Sequence, residues 1–265
     1  MATPLTATEL MAALRDEGLT LVEHRSWRTH NRNHKGPWGP VKGVVIHHTV
    51  TTGTDSSVQF CYDGDAALPG PLCHGVIAKD GTVHLVGNGR ANHAGGGDPV
   101  VLARVIAEDY GERPPPTHEH QGSPGSVDGN APFYGFECVN LGDGKDPWPA
   151  RQLDAIERAA AALCRAHGWS AKSVIGHLEW SDWKSDPLGF TMPDMRRRIA
   201  GRLATGPRGR PMPEEPDRSR RPDRAEEPEH HRDPVTPRGP HGSRREGRRE
   251  GQEDHHGRQR RHSPM

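Results

Sequence analysis

The sequence is poor in cysteine and in long apolar runs, and each shortage excludes a class of protein. Its 4 cysteines in 265 residues show no CxxC spacing, which indicates neither a cysteine-based zinc knuckle nor a disulfide framework; we expect reduced, mostly buried thiols at Cys61, Cys73, Cys138 and Cys164. No apolar stretch reaches the length of a membrane span. The residues after Met1 also lack a basic region followed by an apolar run, so we expect neither a signal peptide nor a membrane anchor.

The C-terminal part of the chain lacks the residues that build a core. From Gly206 onward there is no Leu, Ile, Phe, Trp, Tyr, Cys or Lys. Such a segment buries too little apolar surface to offset its ordering entropy, so residues 206–265 are predicted to form a disordered tail rich in Arg, Pro, Glu and His. Its Arg-rich stretch, 244–261, suits contact with anionic polymers. The interleaved acidic residues and a net charge of +0 argue against specific nucleic-acid binding.

The remaining residues, 1–205, are enough for one α/β domain with its core at about 41–203. A capping box at Thr6 to Glu9 predicts an opening helix. Further helices are predicted at 55–62, 149–167 and 193–203, and strands at 44–46, 72–78, 82–86, 133–140 and 173–177. Strands alternating with helices predict an α/β fold with a mixed central β-sheet flanked by helices.

Two histidines follow directly on predicted strands. Val44-Val45-Ile46 is a short β-branched run that delivers His47 at its C-terminal end, and 173–176 delivers His177 in the same way. Open sheets usually place ligand sites at the carboxyl ends of their strands. A histidine pair after one strand is more often structural, but the coincidence of two such strand ends favours a binding site.

A carboxylate completes this set. The polar loop after His177 can fold Asp186 back towards the same point, and Pro187 constrains the turn behind it. A catalytic zinc requires three nitrogen, oxygen or sulfur ligands and one open position. We therefore predict Zn²⁺ as the cofactor, with His47, His177 and Asp186 as its ligands.

These segments resemble the zinc-dependent N-acetylmuramoyl-L-alanine amidases, a superfamily that includes phage endolysins, bacterial cell-wall amidases and animal peptidoglycan recognition proteins. The resemblance spans about residues 41–195 and is carried, in the family's order, by the segments at 47–49, 79–83, 176–180 and 184–187. In detail it is strongest to endolysins of actinobacterial phages. It implies hydrolysis of the amide bond between N-acetylmuramic acid and L-alanine, with peptidoglycan as the partner and a monomeric enzyme.

The resemblance also implies roles for further residues. Lys184 resembles the family lysine that faces the developing oxyanion. The family's proton-handling residue is either a tyrosine, at the position of Cys73, or a glutamate, at the position of Glu137, so Glu137 is the predicted general base. The alternative for Glu137 is a structural carboxylate paired with an arginine. His93 and Trp180 are predicted to contact the substrate. The alternative for Trp180, and also for Glu179, is a supporting role behind the metal ligands.

Other residues near the predicted site are expected to have structural or supporting roles. By strand alternation His48 should point to the face opposite His47, which favours a structural role. His74 is interpreted as an ordinary polar strand residue, and Glu179 is the next candidate for the base after Glu137. The insertion at 96–130 is long for a loop, with one helical turn or more predicted at 104–110, and it is predicted to wall the substrate groove.

Three rival functions remain open. The first is a non-catalytic peptidoglycan-binding protein of the same fold, which the retained Asp186 argues against because non-catalytic relatives commonly lose the third ligand. The second is a cytosolic amidase that recycles soluble muropeptides. The third is a nucleic-acid-binding protein that acts through its Arg-rich tail. For an endolysin, the resemblance implies synthesis in the host cytoplasm and action on the wall after the membrane is opened.

Overall fold

The computed structural model describes residues 2–207, so the predicted tail lies outside the described residues from position 208 onward. The described part contains five α-helices: α1 (Ala7–Asp16), α2 (Thr54–Asp63), α3 (Pro99–Ala107), α4 (Ala150–His167) and α5 (Met192–Leu203). Its strands are β1 (Leu21–Glu23), β2 (Gly43–His48), β3 (Gly75–Ile77), β4 (Val83–Leu85), β5 (Gly96–Gly97), β6 (Val127–Asp128), β7 (Phe133–Cys138) and β8 (Val174–Gly176). None of these helices combines the length and the apolarity needed to cross a bilayer.

Six strands form a mixed sheet in the order β1-β4-β3-β7-β2-β8. Strands β3, β7, β2 and β8 run parallel to one another, β4 runs antiparallel to β3, and β1 is parallel to β4. The predicted α/β fold with a mixed central sheet and flanking helices is confirmed. The strands β5 and β6 form a separate antiparallel pair.

One face of the sheet packs against α1, α4 and α5. The capping box at Thr6 and Glu9 begins α1, and Gly168, with φ of 70°, ends α4 in the left-handed region that favours glycine. The buried cluster on this face contains Leu10, Leu14, Val44, Ile46, Phe136, Ile156, Leu163, Met195 and Ile199. Since side chains alternate along a strand, the neighbours Val45 and His47 lie on the other face.

The other face carries two smaller apolar clusters. In one, Val45, Phe133 and Ile175 of the sheet pack with Trp180 and with Val101 and Val105 of α3. In the other, Val58 and Cys61 of α2 pack with Val76, Cys73 and Val139. His47 belongs to the same face as both clusters.

The insertion at 96–130 contains a helix that starts earlier than the predicted helical segment at 104–110. Asp98 accepts hydrogen bonds from the backbone N–H groups of Val100 and Val101, and Pro99 occupies the first helical position, so α3 begins at Pro99 and ends before Glu108. This combination of cap and proline is a strong helix start. The predicted turn at 104–110 therefore begins too late.

Buried charge joins α4 to α5. Glu157 of α4 is 1% exposed and accepts a hydrogen bond from Arg202 Nε at 2.8 Å. Arg202 also donates to Asp154 Oδ1 at 2.9 Å. Because α5 covers this part of α4, it also supplies the partner that makes a buried carboxylate tolerable.

Candidate metal centre

Three side chains from two distant parts of the chain converge at the C-terminal end of β2. His47 Nδ1 lies 3.0 Å from His177 Nδ1 and 3.0 Å from Asp186 Oδ2, and His177 Nδ1 lies 3.2 Å from Asp186 Oδ2. All three residues are buried. The backbone positions them, because β2 and β8 are parallel neighbours and Leu178 N–H donates to Asp186 O at 2.8 Å, which closes the loop between the two ligands.

The outer nitrogens of both rings have their own partners. His47 Nε2 lies 3.1 Å from His93 Nδ1, and His93 Nε2 lies 2.9 Å from the carbonyl oxygen of Phe133. A carbonyl only accepts, so His93 carries its proton on Nε2 and accepts at Nδ1 from His47 Nε2–H. His177 Nε2 in turn lies 3.2 Å from the carbonyl oxygen of Ala94 and donates to it.

This proton arrangement leaves three unprotonated atoms facing one another. His47 Nδ1, His177 Nδ1 and a carboxylate oxygen of Asp186 have no hydrogen to share at separations of 3.0 to 3.2 Å. Such lone pairs repel unless a cation lies between them. Zinc–ligand bonds of about 2.0–2.2 Å in tetrahedral geometry place ligand atoms roughly 3.3–3.6 Å apart, close to the observed triangle. The donor set and its dimensions fit zinc.

The protonation states also suit a metal. Burial, together with the charge of His177, lowers the pKa of His47 to about 4 against the opposing effect of Asp186, so this ring is neutral at pH 7. Burial by itself would raise the pKa of Asp186, but the neighbouring imidazoles of His177 and His47 hold it well below its usual range. Metal ligands must be neutral imidazole and ionised carboxylate, which are the states that this environment favours.

Glu137 lies beside this triad in the adjacent strand. In the parallel pairing of β2 and β7 it is in register with His47, so both side chains lie on the same face of the sheet. Its Oε2 is buried without a hydrogen-bond partner among the described residues, and no arginine pairs with it there. Burial and the charge of Asp186 raise the pKa of Glu137 well above its usual value, while the charge of Lys184 lowers it.

Lys184 lies in the loop that carries Asp186. Its side chain is exposed, and its backbone N–H donates to Ser181 O at 3.2 Å. The charge of its ammonium group lowers the pKa of both Glu137 and His47, which places it within electrostatic reach of the site. The predicted oxyanion lysine is thus at the rim of the metal site.

Glu179 supports the turn that carries His177 and is not free to act as a base. Arg196 of α5 pairs with it through two bonds, Nη1 to Oε2 at 2.7 Å and Nη2 to Oε1 at 2.8 Å. The backbone N–H of Gly176 also donates to its Oε2 at 3.2 Å. Both oxygens are occupied, so Glu179 stabilises the turn around His177 and is excluded as the general base.

The structure does not bring Trp180 to a substrate groove. Its side chain has 0% exposure, its Nε1 donates to Ala94 O at 3.0 Å, and its indole lies so close to Gly97 that a Cβ there would be 2.2 Å away. Of the two roles considered for Trp180, the structure favours the supporting one next to His177 over contact with the substrate. The exposed aromatic residue of this loop is Trp183, which the sequence reasoning missed.

Trp183 is 63% exposed and stacks on His120 of the insertion, with ring centroids 3.5 Å apart. His120 Nδ1 lies 2.9 Å from Asp182 Oδ1, and Asp182 N–H donates to Glu119 O at 3.2 Å. The insertion thus holds the loop that carries Lys184. A tryptophan one residue before the predicted catalytic lysine was the available signal for this position.

The structure also argues against the substrate contact predicted for His93. It is 8% exposed, and both of its ring nitrogens are engaged, by His47 and by the carbonyl of Phe133. No nitrogen remains to bind a substrate group. His93 instead hydrogen-bonds to Nε2 of His47, the ring nitrogen that does not face His177 and Asp186.

Two further histidines support the fold around the site. His48 lies on the opposite face from His47, as alternation predicts, and its Nδ1 accepts from Leu188 N–H at 3.2 Å. His74 is fully buried, accepts from Gly135 N–H at 3.0 Å and contacts Gly89 O at 2.9 Å. The interpretation of His74 as an ordinary polar strand residue is wrong, because its ring links β7 to the loop after β4.

Several solved structures are similar to this fold. The structure matches the endolysin N-acetylmuramoyl-L-alanine amidase LysCS of Clostridium intestinale URNW at 17% identity, covering 68% of this chain and 95% of that chain with a TM-score of 0.43. It matches the Staphylococcus aureus hydrolase AmiA at 13% identity, covering 77% and 94% with a TM-score of 0.44. Drosophila peptidoglycan recognition protein SA matches at 18% identity, covering 60% and 81% with a TM-score of 0.36.

No curated protein matches the sequence significantly. The family model described as N-acetylmuramoyl-L-alanine amidase matches residues 37–189, a stretch that contains the three converging side chains, Glu137 and Lys184. This match covers more than half of the 265 residues, so the chain belongs to the N-acetylmuramoyl-L-alanine amidase family.

Proposed function

We propose that this protein is a zinc-dependent amidase that hydrolyses the amide bond between N-acetylmuramic acid and L-alanine in peptidoglycan, as a phage endolysin or a bacterial wall-lytic enzyme. The observation that carries the proposal is the set of three ligand atoms within 3.2 Å of one another, beside a carboxylate whose buried Oε2 has no hydrogen-bond partner among the described residues. His47, His177 and Asp186 would hold the metal. When bound, zinc supplies a Lewis acid that acidifies water and polarises the amide carbonyl.

Glu137 is assigned the proton transfers. A buried carboxylate with a free Oε2 and a raised pKa can accept a proton from the attacking water and deliver it to the leaving nitrogen. A bound cation beside it would lower its pKa again and so favour the basic form at neutral pH. Its position in register with His47 keeps this oxygen on the same face as the metal ligands.

Lys184 is assigned the stabilisation of the oxyanion. Its ammonium group is exposed at the rim and has no ion-pair partner among the described residues, so it is free to face a substrate oxygen. Losing a donor of this kind typically costs about 3 kcal/mol of transition-state stabilisation.

The substrate is assigned to the rim on which Trp183 lies. The indole presents one face to solvent and is held on the other by His120, so it offers a rigid apolar surface next to Lys184. Rigid aromatic surfaces lose little conformational entropy on binding. We infer that this surface contacts the substrate next to the cleaved amide, and that the insertion walls the groove as the sequence predicts.

A direct test uses the purified full chain on intact sacculi. With zinc present, mass spectrometry should detect new L-alanine amino termini, and a chelator should abolish them. The variant His177→Ala should lose both zinc binding and hydrolysis, whereas His34→Ala, at an exposed histidine far from the triad, should match the wild type.

The outcomes distinguish the rival functions. Binding to sacculi without new termini would replace the amidase by a peptidoglycan-binding protein. Cleavage of soluble anhydro-muropeptides but not of sacculi would indicate a recycling amidase. Undiminished zinc stoichiometry in His177→Ala would refute the site.

A further inference from the structure

His93 and His47 form a hydrogen-bonded chain that ends on the backbone. His47 Nε2 lies 3.1 Å from His93 Nδ1, and His93 Nε2 lies 2.9 Å from Phe133 O in β7. The two rings are nearly perpendicular, at 86°, with centroids 5.3 Å apart. Both rings are buried, so water does not compete for these nitrogens.

The carbonyl group of Phe133 determines which ring nitrogens of His93 and His47 carry a proton. Phe133 O can only accept, so the His93 proton lies on Nε2 and His93 Nδ1 is an acceptor. His47 must then carry its proton on Nε2, which leaves its Nδ1 lone pair facing His177 and Asp186. The opposite tautomer of His47 would direct its proton from Nδ1 to Asp186 Oδ2 at 3.0 Å, but it would set two acceptors, His47 Nε2 and His93 Nδ1, against each other at 3.1 Å.

The two metal-facing histidines depend on different kinds of partner. His177 Nε2 donates to the backbone carbonyl of Ala94, which no substitution removes. His47 instead relies on a side chain. Gly135 makes room for that side chain, because a Cβ at this position would lie 2.5 Å from His93 Nδ1.

We propose that His93 is a positioning residue that selects the tautomer of His47 with an unprotonated Nδ1, and so prepares that atom to bind the metal. The proposal rests on the proposed zinc site for its consequence, but the tautomer itself is a property of the metal-free protein. Partners of this kind typically change metal affinity about tenfold to hundredfold when removed.

Two substitutions separate the contacts of His93. In His93→Asn the amide oxygen can occupy the position of Nδ1 and still accept from His47 Nε2–H, while the contact with Phe133 O is lost. In His93→Gln the amide nitrogen can replace Nε2 and still donate to Phe133 O, while the acceptor for His47 is lost. Only the second change removes the selection of the tautomer.

His74 provides the matched control. It is a second buried histidine on the same face, with its ring centroid 5.8 Å from that of His93, and its nitrogens contact only backbone groups of Gly135 and Gly89. His74→Gln removes a comparable buried ring without touching His47. Any effect shared by His74→Gln and His93→Gln therefore reports general destabilisation.

The experiment measures His47 by ¹⁵N NMR in metal-free protein at pH 7, and then the zinc affinity of each variant by competition with a chromophoric chelator. Wild type, His93→Asn and His74→Gln should show His47 protonated on Nε2. His93→Gln should show a mixture of tautomers and bind zinc about tenfold to hundredfold more weakly.

A wild-type His47 protonated on Nδ1 would overturn the proposal without any variant. So would an unchanged tautomer in His93→Gln, or a changed tautomer with wild-type zinc affinity. If the wild type bound no zinc at all, the proposed function would fail, while the NMR comparison would still decide the role of His93.

Discussion

Replacing Arg196 by methionine should both destabilise the domain and weaken its metal site. Arg196 and Glu179 are 7% and 5% exposed and share two short hydrogen bonds. Arg196 also donates to the carbonyl oxygens of Val174, at 3.0 Å, and Glu112, at 2.6 Å. The substitution leaves the Glu179 carboxylate buried without its countercharge.

Breaking a buried pair in this way costs about 3–5 kcal/mol. At about 2–4 °C per kcal/mol for a domain of this size, the melting temperature should fall by roughly 6–20 °C. Glu179 lies two residues after His177 and binds Gly176 N–H on the other side of it. Disturbing this turn should therefore also weaken zinc binding, by about tenfold or more.

Arg202→Met is the matched control. Arg202 lies on the same helix, is 2% exposed at its side chain, and pairs with Glu157 and Asp154 of α4, on the opposite face of the sheet from the site. Its loss should also destabilise the domain, although less because Arg158 and Arg198 still pair with Asp154 and Glu157, and it should leave zinc affinity unchanged.

Urea denaturation of metal-free protein measures stability, and chelator competition measures zinc affinity. The double variant Arg196→Met with Glu179→Gln removes the uncompensated charge and should recover part of the stability. Equal loss of zinc affinity in the Arg196 and Arg202 variants would refute the claim that Arg196 supports the metal site through Glu179. Wild-type stability of Arg196→Met would refute the claim that the buried Glu179 carboxylate needs its countercharge.

Further predictions address catalysis, pH and the tail. Lys184→Ala should lower turnover by about a hundredfold without changing zinc affinity, whereas Lys145→Ala, at another exposed lysine, should be neutral; equal effects would exclude an oxyanion role. Glu137→Gln should likewise keep zinc and lose hydrolysis, and near-normal turnover would make Glu137 structural. Burial lowers the pKa of His74 from 6.5 to about 4, so the unfolded state binds more protons in this range and stability should fall by about 3 kcal/mol as pH drops through it. His74→Gln should show a shallower acid limb in urea denaturation, and parallel curves would contradict the assignment. A chain truncated after Thr205 should keep its melting temperature in calorimetry, because the removed residues are nearly devoid of large apolar side chains; a large drop would move the domain boundary.

Local sequence patterns predicted the elements of the fold well. The capping box at Thr6, the β-branched run before His47, and Gly168 after α4 are short-range signals that do not depend on distant partners. Strand alternation likewise placed His48 on the face opposite His47. The start of α3 was missed because its signal, Asp98 followed by Pro99, was overlooked within a segment rich in proline and glycine.

The sequence by itself determined the fold class, the family resemblance and the three side chains that converge, since these depend on residue type, strand ends and motif order. Only the tertiary structure determined which residues lie around these three side chains, and which of those residues are paired, buried or exposed. It paired Glu179 with Arg196 and left Glu137 unpaired, and it buried Trp180 while exposing Trp183. It also set His93 behind His47. The physical reason is that burial and hydrogen bonding at these positions come from residues many positions away in the chain, and local pattern carries no information about such contacts.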